Sequence, residues 1–134
     1  MSILNNVASQ LTSLAATNSV CVAFGTTFTL GTNLSLYSQI SNDVSAITIY
    51  PYGGSPPNND KYRLNSNFQI KMKSESNHTL METQQKLIEY LHLNQLSGVG
   101  QIKSLNSAPI MTEVLEGGQF KTAVTNYEVR FIKQ

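Results

Sequence analysis

Charge is nearly missing from the first half of this chain. Residues 1–59 hold one charged side chain, Asp43, and the other sixteen of the seventeen lie from Asp60 onward. Ser, Thr, Asn and Gln fill the positions where a freely solvated helical surface would carry Lys and Glu. Uncharged polar side chains cost less to desolvate than charged ones, so such a surface suits a protein contact. The alternative is a compositional habit of the lineage with no contact behind it. Cysteine is almost missing too. Cys21 is single, cannot close an internal disulfide and gives no sign of an oxidising compartment. A formal net charge of +1 offers no electrostatic case for sequence-specific nucleic-acid binding or for an anionic membrane. No apolar run approaches the ~20 residues of a membrane span. The N-terminus lacks the basic region and long apolar core of a secretory signal, so the glycosylation matches at Asn33-Leu34-Ser35 and Asn77-His78-Thr79 read as chance.

At 134 residues the chain is expected to form one domain, 1–134, large enough to bury a core without staples. Its clearest stretch is 67–92. Phe68, Ile70 and Met72 alternate with Gln69, Lys71 and Lys73, the period-two signature of a strand with one apolar and one wet face. Ser74 to Asn77 are cap and turn residues. Leu80, Gln84, Leu87 and Leu91 then recur at helical spacing, joined by Thr83, Ile88 and Tyr90, with Glu82, Gln85, Lys86 and Glu89 on the outer face. Glu82 and Lys86 stand four apart in the favourable order.

Around this unit the pattern predicts a helix over 2–16, buried through Ile3, Leu4, Val7, Ala8, Leu11, Leu14 and Ala15, with Asn5, Asn6, Ser9, Gln10, Thr12 and Ser13 opposite. Thr17, Asn18 and Ser19 end it. Strict alternation predicts a strand over 20–30, firm to residue 24, with Gly25 as a bulge or an end. Residues 34–40 read either as a short strand or as irregular connection. Ala46 to Tyr50 is a strand stopped by Pro51, and residues 52–60 are a turn-rich loop expected to be mobile in an isolated subunit. Residues 93–108 are mostly connection, with a short strand near Ile102. Residues 110–115 and 120–132 are expected to form a terminal hairpin turned by Glu116-Gly117-Gly118. Its return strand changes phase near Thr125-Asn126, which predicts a bulge. The fold expected is α+β: a mostly antiparallel sheet of 20–30, 46–50, 64–73, 110–115 and 120–132, two helices (2–16 and 77–92) packed on one face, and a C-terminal β-hairpin. Phe68, Ile70, Met72, Leu80, Leu87, Leu91, Val7, Leu11 and Leu14 are the expected core.

Catalytic and metal chemistry finds no footing in these residues. His78 and His92 stand at opposite ends of one helix, ~21 Å apart, too far to share a metal, and His92 is placed to complement the helix dipole. Cys21 has no His or Lys near it in sequence. Gly53-Gly54 lacks the following Gly-Lys-Ser/Thr of a phosphate loop. Lys71 and Lys73, with Lys61 and Arg63 upstream, form a small basic row best read as a solvated strand face. No catalytic residue, cofactor or metal ligand is assigned, and no enzyme activity is expected.

One resemblance goes further. Asn42-Asp43-Val44, Ile47-Thr48-Ile49-Tyr50-Pro51-Tyr52-Gly53-Gly54-Ser55-Pro56-Pro57, Phe68-Gln69-Ile70-Lys71-Met72-Lys73 and the helix to His92 resemble the tail-terminator and minor capsid proteins of long-tailed bacteriophages. That family begins with a helix and carries a short strand ending in a Gly- and Pro-rich loop. A strand patterned Q-x-x-x-R/K, a helix and a C-terminal β-hairpin follow. This chain has Lys71 and Lys73 where the family often has Arg. The resemblance implies a virion protein, assembled in the host cytoplasm and placed in the tail or at the head–tail junction. Its copies would form a hexameric ring that caps the tail tube, ends its polymerisation and meets the head connector. The tail tube protein and the connector would be its partners. Two alternatives stand beside it: another head–tail connector or head-completion protein, and a small-ligand-binding α+β domain. Candidate subunit contacts are Asn5, Ser9 and Thr12 on the first helix, Tyr52 in the loop, and Thr122 and Tyr127 on the hairpin.

Overall fold

The computed structural model describes residues 3–40, 44–51, 63–96, 100–114 and 119–132. Helix α1 (Ile3–Thr12) and a short α2 (Ser19–Phe24) precede strands β1 (Leu34–Leu36), β2 (Ala46–Pro51) and β3 (Arg63–Ser74). Helix α3 (Asn77–Leu91) follows, then β4 (Gln95–Leu96), β5 (Gly100–Ser104), β6 (Ile110–Val114) and β7 (Lys121–Ile132). The strands form one sheet in the order β1-β2-β3-β7-β5-β4, with β6 also paired to β7. Every pairing is antiparallel except β1 with β2. This is the α+β architecture expected from the sequence, with one helix more.

The sheet is centred on β3 and β7, whose register runs unbroken from Arg63↔Ile132 to Ser74↔Lys121. Phe68, Ile70 and Met72 face the helices with Ile47, Ile49, Ala123, Tyr127, Val129 and Ile102. Val7 and Leu11 of α1 and Leu80, Leu87 and Leu91 of α3 close the core from the other side, with Leu14 partly buried at its margin. Full burial of each such Leu or Ile contributes about 1.5–3 kcal/mol. Gln84 of α3 is wholly buried, because its amide is spent on the sheet. Nε2 donates to the carbonyls of Ile70 (3.2 Å) and Ala123 (2.8 Å), and Oε1 accepts from Thr125 at 3.3 Å. One side chain thus ties the helix to both central strands.

The stretch 20–24 is helical, not a strand. Asn18 caps α2 by accepting from Val20 N at 2.9 Å. Gly25, at φ +107°, closes it by donating to Cys21 O at 2.8 Å. Helical spacing buries Val20, Cys21 and Phe24 and leaves Val22 65% exposed, whereas a strand would have put Val22 on the core face with Val20. Caps at both ends outweigh β-branched propensity across six residues. α1 stops at Thr12, short of residue 16, because the chain turns there to enter α2. Phe28 packs on Phe24 with ring centres 4.7 Å apart and the planes tilted by 35°, and Leu34–Leu36 resolves the ambiguous segment as an edge strand.

No bulge interrupts β7 at Thr125-Asn126. The phase change there marks an exchange of neighbours along one edge: β5 pairs with residues 127–130 and β6 with residues 121–124. Between them Asn106 Oδ1 accepts from Asn126 N at 2.7 Å and Leu105 N donates to Asn126 O at 2.8 Å. The register shift lies in β6, between Met111 and Glu113. Nor is the sheet's far face wholly wet. Thr48, Lys73, Thr122 and Val124 are buried on it, and Lys73 Nζ donates to Ile40 O at 2.5 Å and sits 5.3 Å from the centre of the Phe120 ring. The Glu116-Gly117-Gly118 turn and the 52–60 loop lie outside the described residues.

Candidate subunit-contact surfaces

Of the six candidate contact residues, three are exposed to solvent. Asn5, Ser9 and Thr12 lie exposed along α1. The hydroxyls of Thr12 and Ser13 both donate to Ser9 O, at 3.1 and 2.8 Å, so this face presents polar groups that already satisfy part of their hydrogen bonding internally. The polar side of α1 is not all free. Gln10 donates to Gln95 O at 3.1 Å and accepts from Asn94 at 3.0 Å, which docks the helix on β4. Asn6, expected on that outer side, is buried instead, and its Nδ2 has no hydrogen-bond partner among the described residues.

Thr122 and Tyr127, expected at a contact, are both buried within the fold. Thr122 is fully buried on the far face of the sheet, its hydroxyl 2.6 Å from that of Thr112. Tyr127 is fully buried on the helix face, stacked on Phe68 with ring centres 5.0 Å apart. Burial pushes its phenol well above the ordinary value, opposed only weakly by Thr125. Both residues serve the core, because the double coverage of β7 leaves neither of its faces to a partner at these positions. Tyr52 lies outside the described residues.

Other sequence candidates resolve in the same way. His92 Nδ1 accepts from Ser104 N at 3.0 Å, which joins the end of α3 to β5. Cys21 is buried, which raises its thiol, and it packs as a small apolar side chain. Lys86 turns to Glu89 (3.6 Å) instead of Glu82. A shallow groove of about 450 Å³ runs between α3 and the β5–β6 connection, lined by Asn77, His78, Met81, Glu82, Gln85, Ala108 and Pro109. His78 and Glu82 stand one turn apart on its wall, but among the described residues no three His, Cys, Asp or Glu side chains come together to hold a metal. No described helix is long and apolar enough to cross a membrane.

Eight large apolar side chains stand exposed among the described residues. Leu105, Ile110 and Met111 flank the start of β6, while Val22, Leu30, Tyr37 and Val44 belong to the uncharged first half, and Leu93 follows α3. The sequence matches no protein-family model and no curated protein.

Proposed function

We propose that this chain is a structural virion protein of a long-tailed bacteriophage, a tail terminator whose copies form a ring on the end of the tail tube. In that role it stops tube polymerisation and offers the connector of the head a surface to join, and it carries no catalysis. The observation that carries the reading is the order of elements. Strand β2 ends at Pro51, strand β3 carries Gln69 and Lys73 in the Q-x-x-x-K positions, α3 lies directly after it, and β6 and β7 close the chain as an antiparallel pair. The resemblance calls for these elements in this order, while α2 and β1 before β2, and β4 and β5 between α3 and β6, stand outside it. The uncharged, exposed face of α1 supports it, since Asn5, Ser9 and Thr12 can enter a contact without desolvating a charge. A heterologous contact repeated by rotation closes a ring with no further motif.

Native mass measurement together with negative-stain imaging tests the reading. The expected particle is a ring of about six copies. A stable monomer across the accessible concentration range rules the ring out.

A further inference from the structure

No further inference is drawn: the strongest candidate, the exposed apolar patch of Leu105, Ile110 and Met111 beside the shallow groove between α3 and the β5–β6 connection, is an unpartnered face and nothing in the structure shows what covers it.

Discussion

The two halves of this molecule handle polarity in opposite ways. From β3 onward, apolar periodicity marks the core, and charge marks the solvent everywhere among the described side chains but at the buried Lys73. Phe68, Ile70, Met72, Leu80, Leu87 and Leu91 are all fully buried, and Glu82 and Glu89 are exposed. In the first 51 residues no described side chain is charged, helices are short, and four large apolar side chains (Val22, Leu30, Tyr37 and Val44) stand exposed. Four more (Leu93, Leu105, Ile110 and Met111) stand exposed in the second half, so what sets the first half apart is the neutrality of its polar surface, which a contact between subunits can bury without desolvating a charge.

If that contrast is right, the largest loss of stability comes from the second half. Leu87→Ala empties a fully buried site under the sheet and should cost on the order of 2–5 kcal/mol in urea unfolding. A loss below about half a kcal/mol would mean that α3 does not carry the core.

The first half should respond through its backbone. Gly25 closes α2 at φ +107°, and a Cβ there meets nothing within 4 Å, so the cost of Gly25→Ala is conformational alone. About 1–2 kcal/mol is expected. A neutral outcome would show that the helix end adjusts freely. Asn18→Ala removes the cap on Val20 N and should cost about 1 kcal/mol, with Asn18→Ser recovering most of it. If neither substitution moves the midpoint, α2 is not fixed by its caps.

These two sites also show why the sequence was legible in one half and not in the other. A single-sided strand and a four-turn helix write their burial directly into period two and period 3.6, as residues 67–92 do. A six-residue helix is too short to establish a period. Val20, Val22 and Phe24 satisfy alternation equally well, and only Asn18 and Gly25 distinguish the two, as caps rather than as a terminator and a bulge. Thr122 and Val124 misled in the other direction: both faces of β7 are buried there, so apolar residues in even and odd phase coexist without a bulge. Of the candidate contact residues, Asn5, Ser9 and Thr12 were legible as the polar face of α1. The backbone at Tyr37 and Leu93 was not legible, because positive φ at a residue other than glycine leaves no compositional trace.

The smallest effect on the fold should come from Ser9, and it separates stability from assembly. Ser9 is exposed in the last turn of α1. A carboxylate there opposes the helix dipole and an ammonium complements it, each by about 0.3–1 kcal/mol. Ser9→Glu should therefore unfold slightly earlier than the wild type, and Ser9→Lys slightly later. Assembly should not follow that order. Either charge must be desolvated to enter a neutral contact, so both variants should weaken the oligomer. Gln85→Lys on α3, whose outer face already carries Glu82, Lys86 and Glu89, should leave assembly unchanged. Sedimentation of the three variants beside their thermal melts decides the matter. If loss of assembly tracks melting, the effect of Ser9 lies in the helix and not in a contact. If Gln85→Lys alone dissociates the particle, the contact surface lies on the charged half, along the groove of Met81 and Pro109.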